Sequence, residues 1–145
     1  MIKLFLDTEF NGFGGELISM ALVSEFDHEW YQVRKMTSAP EEWVSENVIP
    51  KLDKLPLESH EFRASFHAFI SRFDGCIVIA DWPADFEHFC NLLTGVGADA
   101  GFSIPLECSM LLIRGGEIYP DNPHNALSDA RALRDWFLEQ ERAVA

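Results

Sequence analysis

The sequence predicts one α/β domain, residues 1–145, in which a mixed β-sheet is flanked by helices. Three observations support this: short apolar or β-branched runs typical of strands, apolar stripes at helical spacing, and a length of 145 residues that fits one core. Strands that follow one another directly favour antiparallel pairing, and strands separated by helices favour parallel pairing. We therefore expect an antiparallel N-terminal portion and a parallel portion after it.

Three strand patterns occupy the N-terminal part of the chain. Residues 2–6 form a short apolar run, and residues 16–24 and 28–33 form two further segments rich in apolar side chains. The stretch 25–27 between the last two is typical of a hairpin connection. This order predicts antiparallel pairing of neighbouring strands.

Two helices are predicted in the middle of the chain. Ser38 and Glu41 have the spacing of a capping box, which predicts a helix that ends before Pro50. Residues 59–73 carry apolar side chains at helical spacing, which predicts a longer helix with one buried face. The members of this stripe are Phe62, Phe66, Phe69, Ile70 and Phe73.

The C-terminal half predicts one more strand and two helices. The β-branched run of residues 77–80 suits a central strand, and Pro83 suits the first turn of the helix that follows it. The last helix is predicted over residues 125–141. Its apolar face consists of Ala126, Ala130, Leu133 and Phe137.

Composition limits the classes of function. The formal net charge of −13 argues against an extended nucleic-acid grip built from Lys and Arg. No run of apolar residues is long enough for a transmembrane helix, and the N-terminus lacks a signal-peptide pattern, so we expect a cytoplasmic protein without membrane contact. Cys76, Cys90 and Cys108 have no CxxC spacing, which favours reduced structural thiols.

Acidic residues stand where predicted strands end. Asp7 and Glu9 are two residues apart, so the period of a strand places both on one face. Neighbouring carboxylates repel, and both stay ionised more readily beside a cation. A solvated strand end, where the repulsion is screened, is the alternative.

Asp81 and Asp85 lie where the strand at 77–80 leads into a helix. Asp85 falls in the first helical turn, where the helix dipole also favours a carboxylate, and Asp81 is equally suited to an N-cap or strand-end position. From the residues alone, both are open as metal ligands and both have structural explanations.

The start of the last helix carries a third acidic element. Asn125 is a plausible N-cap, which places Asp129 about one turn into the helix and His124 just ahead of it. The carboxylate and the imidazole can then face one site. An ordinary surface histidine is the alternative for His124.

Together these elements have the order DxE, D and HxxxxD, and this pattern resembles the DEDD exonuclease superfamily in its histidine-bearing branch. Within that branch the chain looks most like the compact exoribonucleases of the RNase AS type. The matching stretches are Phe5–Phe10, Glu16–Ser19, Trp43–Leu52 and His124–Arg131. Such relatives also carry an acid near the start of the penultimate helix, where we expect Ser109 to stand in this chain.

The resemblance implies an RNase H-like fold and a 3′–5′ exonuclease that releases 5′-mononucleotides from single-stranded RNA 3′ ends. It implies two Mg²⁺ or Mn²⁺ ions, with Asp7 bridging them and His124 acting as general base. It favours Asp85 over Asp81 because the middle Asp of the family leads a helix. The implied metal ligands are Asp7, Glu9, Asp85 and Asp129.

Two aromatic side chains are candidates for stacking on bases. Phe10 follows the DxE motif and Trp82 precedes the middle Asp, although core packing explains either one as well. Metal ions that offset the carboxylates would let an acidic protein accept the end of a strand. Relatives of the RNase AS type can pair, so a homodimer is one state open to the chain.

Three other functions are compatible with the same residues. A 3′–5′ exodeoxyribonuclease of the proofreading type would use the same acids, because the metal set does not read the 2′-OH. A non-catalytic RNase H-like interaction module is a second alternative. The net charge alone would also fit an acidic metal-buffering or protein-binding domain.

Overall fold

A computed structural model describes residues 1–97 and 100–145 and confirms an α/β fold with one mixed sheet. The strands are β1 Lys3–Phe10, β2 Leu17–Ser24, β3 Glu29–Val33, β4 Cys76–Ala80 and β5 Cys108–Leu112. The α-helices are α1 Glu42–Asn47, α2 Ser59–Ile70, α3 Pro83–Thr94 and α4 Ala126–Val144, with short 3₁₀ turns at Ile49–Lys51 and Ser71–Phe73. The strand order in the sheet is β3-β2-β1-β4-β5.

The sheet has the predicted division into antiparallel and parallel halves. β1 pairs antiparallel with β2, and β2 with β3, whereas β1–β4 and β4–β5 are parallel. β1 continues past residue 6, where the apolar run ends, because β2 pairs with it as far as Phe10. Its pairing with β4 ends at Phe5 opposite Ile79. The segment of β1 that carries Asp7 and Glu9 therefore projects beyond the paired part of β4.

Helices cover both faces of the sheet. On one face, α2 and α3 pack against Leu4 and Leu6 of β1 through buried side chains that include Phe66 and Phe89. On the other face, Leu133 of α4 packs in a cluster with Phe5. Alternate residues of β1 therefore face opposite helical layers. In the described part of the chain, no helix combines the length and the apolar content that a bilayer crossing requires.

The capping box predicted at Ser38 is wrong. The Ser38 hydroxyl donates a hydrogen bond of 2.9 Å to the Glu16 carboxylate instead. Glu41 occupies the N-cap position without a side-chain hydrogen bond, and α1 begins at Glu42. The Ser38 hydroxyl therefore bonds to Glu16, which is distant in sequence, and does not cap the helix as the local pattern predicted.

The strand β5 was not predicted. It lies at the edge of the sheet, and three of its five residues are exposed, so it lacks the regular alternation that marks a half-buried strand. Ser109 lies within β5, which corrects the expectation that it stands near the start of a helix. Cys76 and Cys108 are register partners on β4 and β5, and all three cysteines are free thiols.

Candidate metal centre

Three carboxylates meet on the side of the sheet that α4 covers. Asp7 and Glu9 share a face of β1 because they are two residues apart. Asp129 reaches them from the first turn of α4, where the side-chain oxygen of the N-cap residue Asn125 accepts the Ser128 N–H at 3.1 Å. Asp7, Glu9 and Asp129 each offer an oxygen within 4.8 Å of the others.

A second group of carboxylates forms around the same Asp7. Asp81 and Asp85 follow the end of β4, and each offers an oxygen within 4.8 Å of the other and of Asp7. Asp85 is only 1% exposed, and the Thr8 hydroxyl donates a 2.6 Å hydrogen bond to its Oδ1. The two groups share Asp7, so acids from both helical layers converge where β4 ends and β1 continues.

Two buried oxygens in this cluster have no partner among the described residues. They are Oδ2 of Asp7 and Oδ2 of Asp85, both enclosed and without a hydrogen bond. Leaving a buried polar group unsatisfied costs about 1–3 kcal/mol, and more when it is charged. A cation between the carboxylates would remove this cost. Because every donor is a carboxylate oxygen, the set fits hard divalent ions such as Mg²⁺ or Mn²⁺.

The electrostatics of the cluster also favour a cation. Burial, then the charges of Asp85 and Asp129, raises the pKa of Asp7 well above its usual range. Burial and the neighbouring Asp129 raise the pKa of Glu9 to about 9. Burial likewise raises the pKa of Asp85 to about 7 and that of Asp129 to about 6. Without a cation the cluster therefore holds protons near neutral pH.

These shifts predict how the stability of the metal-free protein depends on pH. In an unfolded chain the pKa of a carboxyl group is about 4. In the folded protein, burial and the neighbouring Asp129 raise the pKa of Glu9 to about 9. Between those values the folded protein binds more protons than the unfolded chain, so its free energy of unfolding falls as the pH rises. We expect the Tm in EDTA to fall from pH 5 to pH 8.5.

Divalent cations should reverse that loss. If Mg²⁺ or Mn²⁺ occupies this cluster, it binds the ionised carboxylates, so the rise in Tm on adding either ion should be larger at pH 8.5 than at pH 5. Thermal scans at both pH values, with and without the ion, measure this rise in Tm. A Tm increase of equal size at both pH values would contradict a carboxylate site with raised pKa values.

His124 lines the same pocket as Asp7, Glu9, Asp85 and Asp129. Its backbone N–H hydrogen-bonds the Asp129 carboxylate, and its backbone has a left-handed φ of 68°. Its ring meets the Trp43 ring edge-on, with 5.0 Å between the centroids. This places an imidazole, the usual acid–base group near neutral pH, beside the acid cluster.

The pocket around the acids has a volume of about 480 Å³ and aromatic walls. Phe10 and Trp82, the two candidates for base stacking, both line it, and Phe10 also packs against His88 at 5.3 Å between ring centroids. Phe13 and Trp43 line it as well, and neither was predicted as a site residue. A Phe surrounded by glycines, in the run Gly12-Phe13-Gly14-Gly15, was the available sequence signal for the first of them.

Asn11 connects the segments that carry Phe13 and Trp43. Its side chain accepts the Glu41 N–H at 2.8 Å and donates to the Ala39 carbonyl at 2.9 Å. The loop that carries Phe13 is thereby tied to the start of the helix that carries Trp43. Phe13 and Trp43 therefore line the pocket from two segments that hydrogen bonds hold together.

No protein-family model matches the chain, and no curated protein matches it with significance.

Proposed function

We propose that this protein is a metal-dependent 3′–5′ exonuclease with an RNase H-like fold, of the histidine-bearing DEDD type. Its substrate is the 3′ end of single-stranded RNA, and its product is a 5′-mononucleotide. The observation that carries the proposal is the pair of carboxylate groups that share Asp7. A shared carboxylate with separate partners on each side is a ligand set that suits two neighbouring hard ions.

The pocket supports action on a strand end. Its volume of about 480 Å³ lies in the range of sites that enclose a small ligand, so it suits a terminal nucleotide. Its aromatic walls offer flat surfaces on which bases stack whatever their identity. The free thiols of Cys76, Cys90 and Cys108 are compatible with a reducing compartment, and we propose a cytoplasmic location.

Each polar side chain of the pocket has a role in this proposal. Asp7, Glu9, Asp85 and Asp129 hold two Mg²⁺ or Mn²⁺ ions, which when bound supply charge neutralisation and Lewis-acid polarisation of the phosphoryl group. Thr8 orients Asp85 by occupying one of its oxygens. The edge-on contact with Trp43 limits the orientations of the His124 ring.

His124 takes the proton of the attacking water in this mechanism. A positioned general base contributes roughly 10²–10⁴-fold in rate. The backbone N–H of His124 bonds the Asp129 carboxylate, so the base and a proposed metal ligand are held next to each other. The hydroxide so formed attacks the terminal phosphodiester, the bond from phosphorus to the 3′ oxygen of the preceding nucleotide breaks, and that oxygen takes a proton from solvent.

The test is metal-dependent release of mononucleotides. RNA and DNA oligomers labelled at the 5′ end are incubated with the protein in Mg²⁺, in Mn²⁺ or in EDTA, and the ladder of products is followed over time. We expect stepwise shortening from the 3′ end of RNA with either ion and none in EDTA. Cleavage of DNA alone would favour the exodeoxyribonuclease, and cleavage of neither strand would overturn the proposal in favour of a binding module.

Asp85 and Asp81 should differ in importance. Asp85 is buried, is oriented by Thr8 and has a free enclosed oxygen, whereas Asp81 is less buried and lies near the Arg114 charge. We expect Asp85→Asn to reduce cleavage by roughly 10²–10³-fold, the usual cost of losing one preorganised electrostatic contact. Asp81→Asn should reduce it less than tenfold. The reverse order in the same assay would make Asp81 the middle metal ligand.

A further inference from the structure

Arg114 lies beside the candidate metal centre without being part of it. It follows β5, and its side chain is exposed. Its guanidinium carbon is 5.3 Å from the centre of the Trp82 ring, a distance at which a cation and an indole attract each other. Trp82 is 51% exposed and lines the acid pocket, whereas Arg114 does not line it. The guanidinium therefore lies outside the pocket, next to one of its walls.

Among the residues that the structure describes, the Arg114 guanidinium is not held in an ion pair, although its charge acts on the nearby Asp81 carboxylate. Within residues 1–97 and 100–145, Arg131 and Arg134 form ion pairs of 2.6 Å with Glu29 and Asp27, but no ion pair within 4.0 Å involves Arg114. The lining of the acid pocket, as described, includes neither Lys nor Arg. A strand that leaves the pocket past Trp82 thus meets a cation there.

We propose that Arg114, stacked on Trp82, binds the phosphodiester immediately upstream of the scissile one. The inference rests on the proposed exonuclease function and adds a subsite outside the acid pocket. Its ligand is a single strand of at least three nucleotides, because a dinucleotide without a terminal phosphate has only the scissile phosphodiester.

The chemistry of the pair fits this ligand. A guanidinium stacked on an indole keeps its N–H groups free in the plane, where they can donate two parallel hydrogen bonds to a phosphate. The indole restricts the side chain before binding, so less conformational entropy is lost when the phosphate arrives. In a protein of net charge −13, one such cation at the rim gives a short strand a specific direction of approach.

The experiment compares substrates of different length. Values of kcat/KM are measured on a dinucleotide, a trinucleotide and a hexanucleotide of RNA without terminal phosphates, for the wild type, Arg114→Gln and Arg114→Lys. We expect Arg114→Gln to lower kcat/KM about tenfold more on the trinucleotide and hexanucleotide than on the dinucleotide, mainly through KM. Arg114→Lys keeps the charge but loses the planar pair of N–H donors, so its kcat/KM on the longer substrates should lie between those of the wild type and Arg114→Gln.

Arg72→Gln is the matched control. Arg72 is also an exposed arginine over aromatic rings, 5.4 Å from the Phe73 ring centre, but it precedes the amino end of β4, opposite the acid pocket. We expect this variant to behave like the wild type on every substrate. An equal loss on all three lengths for Arg114→Gln would mean that Arg114 only balances the acidic site, and no loss on any length would mean that it contacts no substrate. Either result overturns the proposal.

A binding measurement separates this inference from the proposed function. Fluorescence anisotropy of a 5′-labelled hexanucleotide is recorded at several salt concentrations with Mg²⁺, using His124→Gln as the background to prevent turnover. Adding Arg114→Gln should weaken binding and reduce the salt slope by about 0.7, the value for one phosphate contact on a single strand. If the wild type cleaves but the slopes are equal, the Arg114 subsite fails alone. If the wild type does not cleave, the exonuclease proposal fails and the slopes still decide the subsite.

Discussion

Asp7→Asn should abolish metal-dependent cleavage and at the same time stabilise the metal-free protein. Asp7 belongs to both carboxylate groups, so its loss removes an oxygen ligand from both proposed ion positions. We expect the rate to fall by at least roughly 10³-fold, the upper end for removal of a single electrostatic contact, since two sites are affected. Isothermal titration with Mn²⁺ should show the loss of tight binding in the same variant.

The gain in stability has a separate cause. Oδ2 of Asp7 is enclosed without a hydrogen bond, and the neighbouring carboxylates disfavour its ionised form. An amide of the same shape carries no charge and can donate to the carboxylates around it. The Tm in EDTA at pH 8 should therefore rise by roughly 3–8 °C, corresponding to about 1–2 kcal/mol. Asp135→Asn, on the exposed side of α4, should change neither the Tm in EDTA nor the cleavage rate appreciably. A destabilised Asp7→Asn protein would show that the carboxylate is structural.

His124→Gln should lower kcat by roughly 10²–10⁴-fold while the affinity for Mn²⁺ stays within about threefold of the wild type. His124 is not in either carboxylate group, so its removal leaves the oxygen ligands in place. A large fall in kcat with unchanged affinity for Mn²⁺ distinguishes a general base from a metal ligand. His60→Gln, at an exposed position of α2, is the control for loss of a histidine elsewhere. A parallel fall in metal affinity and turnover would show that His124 acts through the metal site.

The parts of the fold that follow periodic patterns could be predicted from the sequence. The stripe from Phe62 to Phe73 corresponds to α2 and the 3₁₀ turn after it, and the β-branched run at 77–80 corresponds to β4. Prediction failed where a distant residue decides the local structure. The Ser38 hydroxyl is bonded by Glu16, and β5 exists because β4 offers it a parallel partner. Neither contact can be inferred from the sequence of the neighbouring residues.

The acids of the candidate site could be found because each lies next to a recognisable strand or helix boundary. Beyond Phe10 and Trp82, the sequence could not predict which aromatic and basic side chains surround them. Phe13 and Trp43 become neighbours of the acids through the Asn11 hydrogen bonds, and Arg114 reaches Trp82 only because β5 runs parallel to β4. These proximities arise from the sheet order, which local periodicity does not encode.

The left-handed backbone of His124 has a consequence for how this protein can change. Its φ of 68° costs a residue with a Cβ about 1 kcal/mol or more, and glycine adopts it freely. A copy of the chain released from selection for catalysis would therefore gain stability by replacing this histidine with glycine. If His124 is the base of the proposed exonuclease, an imidazole should persist at this position only in lineages that retain the activity.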